Sequence, residues 1–427
     1  MEQTAKVLER FRTKIGEAAW IRLLDRLHQV NTDICSNGIR SLNSISGTLA
    51  GVGSELLTGY SYGEFYDWDL YFENIYLSYF GIHRYCRTNL EEFLNRQHVS
   101  GFVSRTLLNP RQRQHFKPFL AQTALLGSRQ SGSFEWLKWK YYARLKKYLD
   151  YWFWYQDFDK NGLCVWESAD HSGMDNQISR AGEINSMTVE GVDLNCYLVR
   201  ELQAMTEIAA AIGQHADQQE FKAHTEHLSG LINTVLWDEQ SGFYYDRHER
   251  CGELIRVKSA AGFAPLWLGI VPPERAMRLV NEHLLNPSEF WLTFPVATYA
   301  KTEPDYYQEK FGDECNWRGP AWVPINYMVF HGLLKLGFRA QAEELAYKTF
   351  SMALQEETTR EYYNAETGCG QGLNPFWGWS TLAYFMPLEN ELNYDPTEIH
   401  ASTILPIGKA IIENLPVGFH GLGSNRR

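Results

Sequence analysis

The sequence predicts an all-α protein built as a toroid of paired helices. Apolar residues recur at helical spacing along most of the chain, and convincing strand patterns are few. The 427 residues contain no Pro/Ser-rich linker and no low-complexity block. Helix pairs that follow one another without a linker indicate one domain over residues 1–427 rather than several.

The clearest helix pair lies in the last third of the chain. From Ile325 to Leu336 apolar residues fall at i, i+3, i+4, i+8 and i+11, and the same spacing continues from Ala342 to Leu354. Gly337 stands between the two runs, where a glycine commonly ends a helix. This pattern predicts an antiparallel helix hairpin with a short connection.

The same periodicity predicts the remaining helices. A second pair covers residues 193–212 and 217–237, and further helices cover residues 3–29, 68–97, 134–156, 259–269 and 273–285. A short strand is predicted over Gly242–Asp246. Gly, Asp, Asn and Trp concentrate in the loops between the helices, so the functional residues are expected there.

Composition and charge exclude several classes of function. The net charge of −11 argues against nucleic acid and anionic membranes, since both require clustered Lys and Arg. Seven cysteines are scattered without a CxxC pair, which suits reduced thiols better than a disulfide framework or a zinc site. The first residues, Met1-Glu-Gln-Thr-Ala-Lys, lack the apolar stretch typical of a signal peptide, and no run approaches the roughly 18 apolar residues of a membrane span. A soluble cytoplasmic protein is therefore expected.

Two segments carry acids in surroundings typical of a sugar-cleaving site. Glu361 begins the run Glu-Tyr-Tyr-Asn-Ala-Glu-Thr-Gly, and Asp175 lies in the Gly-bearing segment Ser-Gly-Met-Asp-Asn. Glycoside hydrolysis needs one carboxylic acid to protonate the leaving oxygen and a second carboxylate to activate water or attack the sugar. The alternatives are a turn or helix cap for Asp175 and a solvated loop acid for Glu361.

Two aromatic segments are candidate sugar-binding elements, in a chain with 14 Trp, 24 Tyr and 23 Phe. Trp68-Asp69 opens an aromatic helix; a Trp face beside a carboxylate can stack on a pyranose and accept from its hydroxyls. The alternative is a core Trp and an acid at a helix N-terminus. The segment Asn316-Trp-Arg-Gly-Pro precedes another helix, where Arg318 would orient a polar group or form a structural ion pair.

Half of a calcium-binding pattern follows the predicted helix 134–156. Asp157, Asp159 and Asn161 stand in the Asp-x-Asp-x-Asn-Gly order of a calcium loop, but its twelfth position is Ser168 instead of Glu. The segment is therefore compatible with an ordinary Asx turn and with a structural calcium site.

In this order, the segments resemble the inverting α-glycosidases of glycoside hydrolase family 63 and their trehalase relatives. The closest likeness is to the mannosylglycerate and glucosylglycerate hydrolases, and it runs from about Tyr60 to Leu388. The resemblance implies an (α/α)6 barrel and an exo-acting hydrolase of small α-glucosides or α-mannosides, such as glycosylglycerates or disaccharides. It implies no redox or nucleotide cofactor and no catalytic metal.

The resemblance also implies roles for individual residues. Asp175 would be the general acid, and Glu361 the general base that holds the water. The implied substrate-binding residues are Tyr66, Trp68, Asp69, Gln177, Trp317, Arg318, Gln371 and Trp379. Two segments depart from the family's pattern: Asp175–Arg180 is one residue longer and lacks a Pro, and Cys369–Gln371 replaces the glycine run of trehalases. Both are expected to border the leaving-group side of the site.

Other functions on the same toroid are alternatives. A sugar phosphorylase would need basic residues where the water sits, and an epimerase would need paired histidines. His171, His224 and His227 lie outside the matching motifs. A non-catalytic carbohydrate-binding protein would need the aromatic residues but not both acids. The partner in each case is a small carbohydrate, and a homo-oligomer is compatible with the sequence.

Overall fold

The computed structural model describes residues 2–41, 55–58, 64–109, 113–180, 188–309, 315–399 and 406–414. The α-helices are α1 (Glu2–Ile15), α2 (Glu17–Asp33), α3 (Asp67–Ser78), α4 (Arg84–Asn95), α5 (Leu120–Ser131), α6 (Lys140–Tyr155), α7 (Ala169–Ser172), α8 (Val192–Ala211), α9 (His215–Val235), α10 (Ala264–Leu268), α11 (Pro273–Arg278), α12 (Val323–Lys335), α13 (Arg339–Gln355), α14 (Met386–Leu392) and α15 (Pro406–Asn414). No described helix is long and apolar enough to cross a membrane.

The strands are short. They are β1 (Ile39–Ser41), β2 (Glu55–Leu57), β3 (Val165–Trp166), β4 (Val189–Glu190), β5 (Trp237–Asp238), β6 (Phe243–Tyr244), β7 (Arg247–His248), β8 (Tyr362–Tyr363) and β9 (Gly370–Gln371). They pair antiparallel as β1–β2, β3–β4–β7, β5–β6 and β8–β9. These short antiparallel pairs stabilise loops between helices, and they form no extended sheet within the described ranges.

An inner ring of helical segments organises the fold. Its members within the described residues are α3, α5, α8, α10, α12 and the 3-10 segment Trp379–Tyr384. Each packs on the next in this order, and Trp379–Tyr384 packs back on α3, so the ring closes. Every residue of α3 is buried, as expected for a helix enclosed between the ring interior and an outer layer. The predicted all-α (α/α)6 toroid is therefore confirmed.

The outer helices bury only one stripe of their surface. In α9, which packs on α8, the buried residues are Phe221, Leu228 and Ile232, at i, i+7 and i+11. This spacing keeps one face of the helix on the inner ring and leaves the opposite face to solvent. The assignment of residues 1–427 to one domain stays a prediction.

The predicted hairpin of α12 and α13 is confirmed. Gly337 has φ 84° and lies between the two helices, as a left-handed glycine at a helix end does. The backbone N–H of Phe338 donates to Leu333 O at 2.9 Å and closes the cap. The centre of the predicted strand Gly242–Asp246 is β6, which pairs with β5.

Several long predicted helices are wrong in their continuity. Residues 3–29 form α1 and α2, separated at Gly16 with φ 83°, and residues 68–97 form α3 and α4, with Gly81 at φ 72° in the turn. The predicted helix 273–285 begins as α11 and continues as the π-helix Leu279–Leu284. Apolar periodicity persists through such breaks because both pieces face the same core, so periodicity alone does not locate them.

Candidate active site

A cavity of about 220 Å³ lies at the end of the toroid where the inner helices begin. Its lining residues are Tyr66, Trp68, Asp69, Arg105, Asp170, Gly173, Asp175, Cys315, Trp317, Trp322, Glu361 and Trp379. Segments that are far apart in the sequence meet here because each one leads into an inner element. Both predicted catalytic acids, Asp175 and Glu361, are among the residues brought together.

Asp175 lies in a tight turn that begins at Gly173. That glycine has φ 80°, and a Cβ added to it would lie 3.0 Å from both Lys117 Cε and Trp68 Cζ2. Burial raises the pKa of the Asp175 carboxyl to about 7, an effect that Arg105 opposes. A large share of this carboxyl therefore carries a proton at neutral pH, which is the state required of a general acid.

The turn of Asp175 is fixed to the segment that contains Trp317. Asn176 accepts a 2.7 Å hydrogen bond from the backbone N–H of Trp317 through its side-chain oxygen. The backbone carbonyl of Asn176 accepts from Arg318 Nε at 2.6 Å. Arg318 therefore positions the turn that carries the predicted acid, and it is not among the cavity's lining residues in the described part of the chain.

Glu361 precedes β8 and is 7% exposed. Its Oε2 accepts from the backbone N–H of Leu373 at 2.9 Å, and the Cys315 thiol lies 3.5 Å from Oε1. The indole N–H of Trp379 donates to the Glu361 backbone carbonyl at 2.9 Å. Pairing of β8 with β9 fixes the strand that follows Glu361. Several contacts of the backbone therefore orient the Glu361 side chain.

Stacked aromatic rings form one wall of the cavity. Trp317 and Trp322 are parallel, with ring centroids 3.7 Å apart and an interplanar angle of 13°. Trp322 in turn stacks on Tyr362 at 4.5 Å. Trp68 meets Trp379 edge to face at 5.7 Å. Such rigid apolar faces suit the C–H faces of a pyranose and exclude water from the carboxyl groups nearby.

A buried charge cluster supports the floor of the site. Lys117 Nζ lies 2.9 Å from Asp67 Oδ1, and neither side chain is exposed. Burial acts to raise the pKa of Asp67, but Lys117 and Arg105 outweigh it and hold that pKa below its ordinary value. Asp69, which lines the cavity, has its pKa raised well above the ordinary value by burial and by Asp67. Of the two acids Asp67 and Asp69, Asp69 is therefore the one that favours the protonated, neutral form.

Two other predicted binding residues lie outside the cavity's lining within the described ranges. Gln177 is fully buried, and its side-chain oxygen accepts from the backbone N–H of Ile178 at 2.9 Å. Gln371 belongs to β9, where it pairs with Tyr362. Their predicted contact with substrate stays a prediction.

Arg180, in one of the two departing segments, is a structural residue. It is fully buried, with Nη1 2.9 Å from Asp193 Oδ2 and Nη2 3.1 Å from Asp246 Oδ1. Asp246 Oδ1 also accepts from the backbone N–H of Val192 at the start of α8. Arg180 therefore joins the segment after Asp175 to the first turn of an inner helix.

The segment of the predicted calcium loop forms an Asx turn. Asp157 Oδ2 accepts from the backbone N–H of Gly162 at 3.2 Å, and Asp159 Oδ1 accepts from that of Asn161 at 3.2 Å. No group of three or more His, Cys, Asp or Glu side chains in the described residues is arranged to hold a metal ion. Asp157 Oδ1 is buried without a hydrogen-bond partner, and Asn161 contacts Glu190. These oxygens are the donors that calcium prefers, so calcium binding stays a prediction.

The histidines considered for an epimerase do not line the cavity in the described part of the chain. His171 is stacked on Trp152 with centroids 5.6 Å apart, and His224 contacts Phe153 at 4.1 Å. These rings pack in the wall of the toroid.

Sequence reasoning missed part of the site. Arg105, Asp170 and Cys315 line the cavity without having been predicted to do so. Trp322 stands two residues after the Trp-Arg-Gly-Pro motif, so a second tryptophan close to Trp317 is the signal that could have identified it. No local pattern marks Arg105, whose neighbours in space are distant in sequence.

Comparisons with known proteins agree with this architecture. The sequence model of the mannosylglycerate hydrolase MGH1-like glycoside hydrolase domain matches residues 62–380. The chain is 38% identical over 152 residues to a mannosylglycerate hydrolase of Thermus thermophilus, covering 35% of this chain and 34% of that protein. It is 30% identical over 205 residues to a mannosylglycerate hydrolase of Rubrobacter radiotolerans, covering 47% and 44%. These alignments span less than half of either relative's length.

Solved structures share the fold at lower identity. A family 63 mannosylglycerate hydrolase of Thermus thermophilus, crystallised with glucose, superposes with a TM-score of 0.64 at 22% identity, over 79% of this chain and 96% of that one. The neutral trehalase Nth1 of Saccharomyces cerevisiae gives a TM-score of 0.64 at 16% identity, over 85% and 79%. The region matched by the family model contains both acids and the aromatic wall. The chain belongs to the family of mannosylglycerate hydrolase MGH1-like glycoside hydrolase domains.

Proposed function

We propose that this chain is an inverting, exo-acting α-glycosidase that hydrolyses a small α-mannoside or α-glucoside, with a glycosylglycerate as the leading candidate. The observation that carries the proposal is the pair of acids in one aromatic cavity. Asp175, with a pKa of about 7, supplies a proton, and Glu361 is oriented by a backbone N–H and lines the same space.

The proposed reaction is a single displacement. The Asp175 carboxyl donates its proton to the glycosidic oxygen as the bond from that oxygen to the anomeric carbon breaks. Glu361 takes a proton from a water molecule, which attacks the anomeric carbon from the opposite face of the ring. The configuration at that carbon therefore inverts, and an inverting pair needs a separation of about 6.5–9.5 Å to leave room for the water.

The choice of a small substrate rests on the cavity and on the relatives. A volume of about 220 Å³ with four tryptophans in its lining suits one sugar ring with a short leaving group better than a polymer. The similar proteins of Thermus thermophilus and Rubrobacter radiotolerans bear the name mannosylglycerate hydrolase. One structure of the family 63 enzyme of Thermus thermophilus contains Tris and D-glycerate.

Proton NMR of the reaction tests the proposal directly. The panel is mannosylglycerate, glucosylglycerate, trehalose, kojibiose and nigerose, each followed from the first minutes after mixing. We expect early release of a β-configured sugar from at least one α-linked member. Release of an α-configured sugar would show retention and overturn the assigned roles. Turnover that appears only when phosphate is added would identify a phosphorylase instead.

A cytoplasmic location and a homo-oligomeric state stay predictions. All seven cysteines are free thiols, which suits a reducing compartment. Fractionation of the native host and the molar mass of the purified protein in solution test the two predictions separately.

A further inference from the structure

One cation lines the described part of the cavity. Arg105 is only 5% exposed and lies in the neighbourhood of Asp175, whose pKa it lowers. Asp170 and Tyr66 complete this side, with the Arg105 guanidinium 5.6 Å from the Tyr66 ring centre. The stacked Trp317 and Trp322 also line the cavity. The cavity therefore combines aromatic faces with one cation in the neighbourhood of the proposed proton donor.

The guanidinium of Arg105 has unused hydrogen-bonding capacity. Nη1 donates to Gln114 Oε1 at 2.9 Å and to the backbone carbonyl of Asp170. Nε is buried without a hydrogen-bond partner in the described part of the chain. An arginine offers five N–H donors in a planar fork that matches a carboxylate.

The neighbouring carboxylates do not occupy that fork. Asp170 Oδ2 lies 3.6 Å from Arg105 Nη1, and its side chain is 63% exposed and accepts a 2.8 Å hydrogen bond from Gln114. Asp67 Oδ2 lies 3.8 Å from Arg105 Nε and is already paired with Lys117 at 3.1 Å. Both carboxylates are within ion-pair distance, but the buried Nε–H has no hydrogen bond, which is unfavourable unless a ligand supplies an acceptor.

We propose that Arg105 determines specificity by binding a carboxylate on the leaving group of the substrate. The proposal rests on the proposed glycosidase function and deepens it. The general acid protonates the oxygen of the leaving group, so a cation next to Asp175 lies on the side where that group departs. A two- or three-carbon hydroxy acid in glycosidic linkage has its carboxylate within a few bonds of that oxygen.

A substrate carboxylate bound to Arg105 also changes the pKa of the proposed general acid, Asp175. Arg105 lowers the pKa of Asp175, and a substrate anion paired with the guanidinium weakens that effect. Asp175 therefore holds its proton to higher pH in the complex with an anionic substrate than in the free enzyme. A neutral substrate lacks this contribution, and any change in the pKa of Asp175 on its binding comes from the displacement of water alone.

The test uses two substrates that differ only in whether the leaving group carries a carboxylate or an uncharged hydroxymethyl group. One is the α-glycoside of D-glycerate, and the other is the α-glycoside of glycerol with the same sugar. The variants are Arg105→Gln and Arg105→Lys, with Arg87→Gln as the matched control. Arg87→Gln removes the same charge as Arg105→Gln. Arg87 lies on α4, where it pairs with Glu91 away from the cavity.

We expect Arg105→Gln to lower kcat/KM for the glycerate glycoside by about 10- to 100-fold, the usual range for a hydrogen bond to a charged group. The glycerol glycoside should change by less than about threefold, and Arg105→Lys should fall between the wild type and Arg105→Gln. In the wild type, the alkaline limb of kcat should lie further above that of kcat/KM for the glycerate glycoside than for the glycerol glycoside. Equal losses on both substrates would make Arg105 a structural support for the Asp175 turn and overturn the proposal.

Binding of free D-glycerate, measured by calorimetry, separates the two proposals. If the wild type cleaves neither glycoside, the proposed function fails, and calorimetry then decides the role of Arg105. Binding that Arg105→Gln abolishes and Arg87→Gln retains supports the carboxylate site. The absence of binding in the wild type, or equal binding in all variants, overturns it.

Discussion

The backbone N–H of Leu373 donates a 2.9 Å hydrogen bond to Glu361 Oε2. The preceding residue, Gly372, has φ 73°, and a Cβ added there would lie 2.4 Å from the same oxygen and 2.7 Å from the Glu361 Cβ. The proposed base is thus held by a turn that leaves no room for a side chain. The turn therefore directs the carboxylate through the Leu373 N–H and lies directly against it.

Replacement of Gly372 by Ala should displace the Glu361 carboxylate. Misplacing a catalytic group by about 1 Å costs on the order of 10²-fold in rate, so kcat should fall by about that factor. Gly213→Ala is the matched control, since Gly213 also has a positive φ, 83°, but open space around its Cβ position. Steady-state kinetics and thermal melts of the two variants separate the effects: Gly372→Ala combines displacement of the carboxylate with backbone strain, whereas Gly213→Ala has the backbone strain alone. Equal kcat in both would contradict the aiming role of the turn.

Substitution of the two acids should give different patterns on an activated substrate. Asp175→Asn and Glu361→Gln should each lower kcat on a natural glycoside by about 10²–10⁴-fold, the usual contribution of acid–base catalysis. A glycosyl fluoride needs no protonation of its leaving group, so Asp175→Asn should retain much of its activity on the fluoride, whereas Glu361→Gln should not. If Glu361→Gln instead retained its activity on the fluoride and Asp175→Asn did not, Glu361 would be the general acid and Asp175 the general base.

The activity of the free enzyme should fall as pH rises through about 7. The pKa of Asp175 is raised by burial to about 7, and a general acid works only in its protonated form. The kcat/KM profile for a neutral glycoside should therefore bend near pH 7 and lose about tenfold per pH unit above the bend. An alkaline limb that lies two or more units away would show that another group supplies the proton.

Trp68 should contribute both to stability and to sugar binding. It is 3% exposed, lines the cavity, and lies 5.9 Å from Trp317. Trp68→Ala should lower the free energy of unfolding by about 3–5 kcal/mol, the usual cost of deleting a buried Trp, and raise KM. Trp139→Ala is the control, because Trp139 is 89% exposed. Unchanged KM with lowered stability would make Trp68 a core residue only.

Arg180 should stabilise the fold more than any surface arginine does. Arg180→Met would leave Asp193 and Asp246 as buried charges without their cation, which typically costs about 3–5 kcal/mol. Arg12→Met removes an exposed pair with Glu17 that solvent screens, so it should change the stability little. Chemical denaturation of both variants checks the difference. A small loss for Arg180→Met would show that water replaces the cation.

The fold was predictable where helices show one apolar face. The hairpin of α12 and α13 follows from its periodicity because a regular stripe of its residues packs on the core. The inner helix α5 was not predicted, since its buried residues include polar side chains such as Gln122, Ser128 and Arg129. Arg129 is buried because Glu207 pairs with it from α8. Such tertiary partners are invisible in a local pattern.

The candidate site was predictable to the extent that its residues stand in compact motifs. Asp175, Glu361 and the tryptophans were nominated from their neighbours, and the structure brings them together. Arg105 was not, because its setting is created by Asp170 and Gln114 only after folding. Arg318 was nominated as a binding residue, but its Nε is committed to the Asn176 carbonyl.

Closure of the inner ring joins the first inner helix to the last inner segment. Trp68 lies in the first turn of α3, and Trp379 begins the segment that packs back upon it, so the candidate site lies where the two meet. A chain still emerging from the ribosome therefore lacks the complete candidate site until its final inner segment packs on α3. On the proposed function, activity depends on this last contact of the ring as well as on the two acids.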